Sequence, residues 1–160
     1  MSGKTTLAKK ICSALTTKGH KCIVISPLGD EWDAELVTDD PVLFMETFVN
    51  SRDCFCFLDE AKETVGRYND QMTMTANRGR HFGHSCFYIP QRVQAVSTDV
   101  RGQVHQLFIF SMGVQDSKTL AEEYNNPAIL AAPDLIQGEY LRVLRFGKDR
   151  KRFCEKRRIF

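Results

Sequence analysis

The sequence predicts an α/β domain with a mostly parallel sheet flanked by helices, and three observations support this. Four short apolar runs occur along the chain, at residues 22–26, 54–58, 86–89 and 107–110. Runs without polar alternation are typical of parallel strands, which are buried on both faces. Stretches with helical periodicity or polar composition separate the runs, as crossover connections require. No repeat or linker divides the 160 residues, so we expect a single domain over 1–160.

Periodicity and terminal residues indicate three helices. Leu7, Ile11 and Leu15 recur every four residues, and Gly19 then follows as a helix stop. Pro41 favours the first turn of a second helix. The predicted helices cover residues 5–18, 41–49 and 116–124, and a polar segment after Asp59 is also expected to be helical, in one or two pieces, through Ala76.

The C-terminal part of the chain predicts a basic β-hairpin over about 137–160, with a turn at Gly147-Lys148-Asp149. Residues 142–160 hold nine basic and two acidic side chains, a net charge of +7. Residues 1–141 hold 13 basic and 18 acidic ones, a net charge of −5. Such a segment either neutralises nucleic-acid phosphates or forms a solvated extension, and composition alone leaves both open.

The start of the chain matches the second half of a phosphate-binding loop, G-x-x-x-x-G-K-[ST]. Gly3, Lys4 and Thr5 fill its last three positions, and a helix follows at once. We expect Ser2, Gly3, Lys4, Thr5 and Thr6 to bind ATP phosphates, and the Thr5 hydroxyl to bind magnesium. The first glycine and the preceding strand are missing, so we expect the native gene to begin upstream with an apolar strand and that glycine.

The second apolar run ends in a pair of carboxylates, Asp59 and Glu60. A carboxylate at the end of a buried strand is what a magnesium-binding Walker B site needs, which indicates Asp59 as the ligand. Glu60 is then the candidate general base for the attacking water. Gln91 ends the next strand and is the candidate sensor of the γ-phosphate.

Motifs along residues 1 to about 145 together resemble the FtsK–HerA superfamily of DNA-pumping ATPases, most of all the small packaging ATPases of membrane-containing phages and related viruses. Its most specific part is the Arg-His-x-Gly turn before a strand that ends in glutamine. The motifs are Gly3-Lys4-Thr5-Thr6, Ser26-Pro27 with Asp30-Glu31-Trp32, Leu58-Asp59-Glu60-Ala61, Arg78-Gly79-Arg80-His81-Phe82-Gly83-His84, and Gln91 to Arg101.

This resemblance implies a P-loop ATPase of the RecA-like type that translocates double-stranded DNA as a homo-oligomeric, hexameric ring. ATP and magnesium would be its cofactors. A capsid portal or membrane protein is a further expected partner, and the host cytoplasm, or the virion, its location. Ring ATPases place an arginine against the γ-phosphate bound by the neighbouring subunit. Arg101 is the first candidate for that role, and Arg80 and Arg78 compete with it.

Three other functions remain open. Thymidine-kinase-like enzymes combine a similar loop with an Asp-Glu-Ala strand end, although this chain lacks the cysteine spacing of their zinc lobe. A conjugation or secretion coupling ATPase and a non-catalytic P-loop fragment are the others. We expect His84 and His81 to fix a turn by hydrogen bonding rather than bind a metal, and Trp32 to be a packing or interface residue.

Overall fold

The computed structural model describes residues 3–59, 65–145 and 153–160, without the side chains of 65–69. These residues divide into two units. One unit is Thr5–Gly102, and the other combines the first four residues with Gln103–Phe160.

The unit Thr5–Gly102 is built on a four-stranded parallel sheet. Its strands are β1 (Cys22–Ile25), β2 (Leu36–Thr38), β3 (Phe55–Asp59) and β4 (Ser85–Ile89), in the spatial order β2-β1-β3-β4. Its helices are α1 (Lys4–Thr17), α2 (Pro41–Asn50), α3 (Val65–Arg78) and α4 (Thr98–Gln103). Short 3-10 helices cover Gly79–Phe82 and Val93–Ala95.

Both faces of this sheet are buried, which explains its uninterrupted apolar strands. Alternate residues of a strand point to opposite faces. Leu58 of β3 belongs to a core with Phe48 of α2 and Val100 of α4. Phe57 belongs to a second core, with Cys12 of α1. Helices therefore cover the sheet on both sides, as predicted for an α/β layer.

The second unit contains an antiparallel sheet of three strands. These are β5 (Gln106–Ile109), β6 (Glu139–Leu144) and β7 (Phe153–Arg158), in the order β5-β6-β7. Between β5 and β6 lie α5 (Val114–Glu123) and a 3-10 helix at Pro127–Asp134. Among the residues described, none of the helices is long and apolar enough to cross a bilayer.

The predicted α/β class and the two hairpin strands are confirmed, with one correction to the sheet. The run at 107–110 was expected in the parallel sheet, but β5 pairs antiparallel with β6. The fourth parallel strand is β2 instead, whose three residues are too short to give a periodic signal. An apolar run indicates burial but not strand direction. The predicted turn at 147–149 lies outside the described residues.

His84 links three elements at the amino-terminal end of the parallel sheet. The Cys54 amide N–H donates to His84 Nδ1 over 3.1 Å, so Nδ1 carries no proton. His84 Nε2 therefore carries the proton and donates to the Phe48 carbonyl over 2.8 Å. The side chain is only 8 % exposed. The expectation of a turn fixed by hydrogen bonding is confirmed for His84, whereas His81 is exposed and makes no side-chain hydrogen bond within the described residues.

His84→Ala should destabilise the protein by about 2–4 kcal/mol, because it leaves a buried amide and a buried carbonyl unpaired and creates a cavity. Urea unfolding would measure this loss. His81→Ala is the matched control, since His81 is exposed, and its effect should stay within about 0.5 kcal/mol. Equal unfolding midpoints for the two variants would contradict the assigned role.

Glu139 anchors β7 to β6 from a buried position. Lys156 Nζ lies 2.8 Å from one carboxylate oxygen, and Arg158 Nη2 lies 2.8 Å from the other. The Ile136 amide also donates to this carboxylate. Hydrogen bonds from Lys156, the larger cause, and from Arg158 lower the pKa of Glu139 from 4.5 to about 2.

Since the folded state holds the pKa of Glu139 below its unfolded value, the ionised pair stabilises the fold above pH 4.5 and stops doing so between pH 4.5 and 2. Glu139→Gln should flatten the acid-induced fall of the unfolding midpoint across this window. Glu155→Gln, which removes a half-exposed carboxylate of β7, should leave this pH profile unchanged. Identical pH profiles for wild type and Glu139→Gln would refute the assignment.

Candidate nucleotide site at the carboxyl edge of the parallel sheet

The chain enters α1 through a glycine in the left-handed region. Gly3 has φ +96°, which only glycine adopts without strain, and α1 begins at Lys4. A Cβ at Gly3 would also lie 2.7 Å from Ile159 Cδ1. The first N–H groups of a helix have no partner within the helix, and they lie at the positive end of the helix dipole. This is the local geometry of the second half of a phosphate-binding loop.

Thr5 and Asp59 meet at this place. The Thr5 hydroxyl Oγ1 donates to Asp59 Oδ2 over 3.4 Å, although 54 residues separate the two in sequence. Asp59 is the last residue of β3 and is only 7 % exposed. A hydroxyl beside a carboxylate offers the hard oxygen ligands that magnesium prefers. The two residues predicted to hold magnesium are therefore brought together and fit that ion.

The structure describes some of the other residues predicted for this site and not others. Asp59 pairs with Ile89 in register, so Gln91 follows two residues beyond, at the same end of the sheet, and is exposed. Thr6 is exposed in the first turn of α1. Ser2 and Glu60 lie outside the described residues.

Arg101 has a structural role within its own chain. Its Nη1 donates to the carbonyls of Val93 and Val96, each over 3.0 Å, and so closes the turn after β4. Arg101 lies in α4, on the segment that follows β4. Its predicted action on a neighbouring subunit's nucleotide stays a prediction.

Arg80 and Arg78 lie at the opposite end of the sheet. Both precede β4, whereas Asp59 and Gln91 follow their strands. Five residues of strand span about 16 Å, so neither guanidinium shares an edge with Asp59. Both side chains are exposed. Either could reach a nucleotide only if it acted on a second copy of the chain.

One group at the carboxyl edge received no catalytic or ligand-binding role from the sequence. Ser26, after β1, and Trp32 in the following loop line an open cavity together with Asp39, after β2. A sequence signal was present, because Ser26 ends an apolar run as Asp59 does. That signal is weak, because serine at a strand end commonly only begins a turn.

Comparison with solved structures gives matches over nearly the whole chain. The DNA-packaging ATPase B204 of Sulfolobus turreted icosahedral virus has a TM-score of 0.73 at 15 % identity, over 99 % of this chain and 93 % of that one. The genome-packaging NTPase B204 of Sulfolobus turreted icosahedral virus 2, in complex with sulfate, has 0.76 at 18 % identity, over 99 % and 92 %. Its complex with ATP-gammaS has 0.71 at 14 % identity, over 99 % and 93 %.

No protein-family model and no curated protein matches this chain. At these identities the structural matches show the fold alone. The fold is that of the packaging NTPases, which confirms the predicted P-loop architecture with its parallel sheet and C-terminal hairpin.

Arg101→Ala should lower the free energy of unfolding by roughly 1–3 kcal/mol, because two carbonyls of the turn after β4 lose a charged donor. Chemical denaturation would measure the change. Arg92→Ala removes an exposed arginine of the same turn and serves as the control. The structural role is wrong if the two variants unfold at the same denaturant concentration.

Proposed function

We propose that this chain is an ATP-hydrolysing subunit of a double-stranded DNA translocase, with viral genome packaging as its role. The observation that carries the proposal is the Thr5 hydroxyl against the Asp59 carboxylate, directly behind a glycine–lysine helix start. Similarity to the fold of viral packaging NTPases supports it, since those proteins were solved with ATP-gammaS and AMPPCP.

The residues of this chain divide the work of phosphoryl transfer to water. Lys4 and the first amides of α1 would hold the phosphates, and Thr5 and Asp59 would hold magnesium. Magnesium, when bound, neutralises charge on the β- and γ-phosphates. Glu60 would take the proton of the attacking water, and Gln91 would contact the γ-phosphate from the neighbouring strand.

Two further steps of the proposal concern assembly. Arg101, or Arg80 from the opposite end of the sheet, would stabilise charge on the γ-phosphate of a neighbouring subunit in a homo-oligomeric, hexameric ring. The basic segment 142–160 would follow the DNA backbone without reading sequence. The motor would work in the host cytoplasm. There it would bind a capsid portal or a membrane protein.

The full chain should hydrolyse ATP in a magnesium-dependent reaction that double-stranded DNA stimulates. Glu60→Gln and Thr5→Val should each lower the rate by about 10²-fold or more, because each removes a group that acts on the water or the metal. Thr17→Ala is the matched control in α1, since among the described residues the Thr17 hydroxyl donates only to the Ser13 carbonyl.

An ATP hydrolysis rate that is the same with and without DNA would overturn the motor assignment, but the chain would still be an ATPase. Glu60→Gln or Thr5→Val turning over at the rate of Thr17→Ala would overturn the catalytic assignment itself. Phosphate release, measured with and without linear double-stranded DNA, separates the two outcomes.

A further inference from the structure

An open cavity of about 650 Å³ lies at the carboxyl edge of the parallel sheet. It adjoins the Thr5–Asp59 pair, because its lining residue Ser26 follows Ile25, which is in register with Leu58. The loop after β1 and the end of β2 line it. Five of its lining residues have polar, acidic or aromatic side chains that could contact a ligand: Ser26, Asp30, Glu31, Trp32 and Asp39. Its volume lies in the range of ligand-binding clefts and exceeds what a single ion or water cluster needs.

Two buried polar atoms of this cavity have no hydrogen-bond partner among the described residues. They are Ser26 Oγ and Trp32 Nε1. Ser26 is 1 % exposed and Trp32 is 9 % exposed. Buried polar groups are normally paired, so an unpaired hydroxyl and an unpaired indole N–H in one cavity indicate a missing partner. The indole only donates, and the partner must therefore offer an acceptor.

The cavity is also strongly acidic. Lys9 Nζ lies 3.2 Å from Asp30 and sits 5.7 Å above the Trp32 ring, so the site already attracts one cation. Glu31 and Asp39 are exposed and have no ion pair within the described part of the chain. The surrounding segment 22–51 carries seven acidic and no basic residues.

The walls of the cavity are preorganised by α1. Thr16 Oγ1 donates to the Asp33 carbonyl over 2.7 Å, and Ser13 Oγ donates to the Asp33 carboxylate over 3.0 Å. On its inner side Trp32 packs against Phe57, with 5.6 Å between ring centroids. The loop that carries the acidic residues is thus held before any ligand arrives, which lowers the cost of binding.

These features select the ligand. No group of three or more His, Cys, Asp or Glu side chains in the described ranges is arranged to hold a metal ion. An arginine on a peptide fits instead, because its guanidinium bonds to carboxylates and stacks on an aromatic ring. The peptide carbonyls would accept from Trp32 and Ser26.

We propose that this cavity, formed by Ser26, Asp30, Glu31, Trp32 and Asp39, binds strand β7 of a second copy of this chain through Arg157. Within the described residues β7 pairs only with β6, so one edge of β7 leaves backbone carbonyls for a partner.

The charges of the two surfaces match. Arg157 pairs with Glu155 on its own strand, and both are half-exposed, so this ion pair exchanges readily. The segment 142–160 carries a net charge of +7, and the segment 22–51 carries −7. The contact is heterologous, since cavity and strand are different surfaces, and it can therefore build a ring or an open chain of subunits. It deepens the proposed function by supplying a subunit contact, but it needs neither nucleotide nor DNA.

Trp32 is the single tryptophan of the chain, so its fluorescence reports on the cavity alone. The probe is an acetylated peptide of residues 153–160 with serine in place of Cys154. It should change the Trp32 emission in a saturable way. Citrulline in place of Arg157, which keeps the shape and removes the charge, should weaken binding at least tenfold. Glu31→Gln/Asp39→Asn in the protein should do the same, and Glu46→Gln, an exposed carboxylate on α2, should not.

A mixing experiment tests the second copy directly. Without nucleotide, the wild-type chain should self-associate in sedimentation, whereas Glu31→Gln/Asp39→Asn and Arg157→Gln should each stay monomeric. Mixed, these two variants should form a one-to-one pair, because one keeps β7 and the other keeps the cavity. Lys118→Gln, which removes an exposed charge on α5, should associate as wild type does.

A monomeric wild type, a mixture that stays monomeric, or a cavity variant that still associates would overturn the proposal. So would equal binding of free arginine amide and the peptide, which would make the cavity a small-molecule site. Association is measured without ATP, so the two hypotheses can fail separately. If the chain hydrolyses ATP but fails these tests, only this inference is wrong. If the chain passes the association tests but hydrolyses no ATP, only the proposed function is wrong.

Discussion

The parallel pairing of β3 between β1 and β4 is the constraint on which the candidate site depends. Hydrogen bonding on both sides fixes the register of β3, and the buried Phe57 and Leu58 fix which face each residue takes. Asp59 is consequently held at the carboxyl edge. Packing of α1 on the Phe57 side of the sheet then brings the Thr5 hydroxyl within 3.4 Å of that carboxylate.

The same constraint concentrates polar side chains along one edge of the sheet. Ser26, Asp39, Asp59 and Gln91 follow or end four neighbouring strands, and parallel strands all end at the same edge. The amino-terminal edge is used differently. There His84 joins strand starts to α2 through backbone hydrogen bonds, which is a stabilising arrangement. The candidate site and the His84 hydrogen bonds thus lie at opposite ends of the strands.

The basic C-terminal segment is less uniform in the structure than in the sequence. Lys156 and Arg158 are held by the buried Glu139, and the Arg145 guanidinium lies over the Tyr124 ring. Part of the positive charge therefore maintains the antiparallel sheet. Arg157 differs from these residues, because its ion pair in the described structure is with Glu155, a half-exposed carboxylate of the same strand. Such a pair can be exchanged for one with a partner surface, as proposed above. Net charge alone could not separate these roles.

The sequence by itself determined the fold class, the helix start behind Gly3, and the placement of Asp59 and Gln91 at strand ends. These features follow from local patterns, namely apolar runs, a glycine before a helix and the polar residue that ends each run. Tertiary structure decided the rest. It set the direction of β5, the closure of a turn by Arg101 and the cavity around Trp32. Each depends on which distant segments meet, and packing between segments leaves no periodic trace in any one of them.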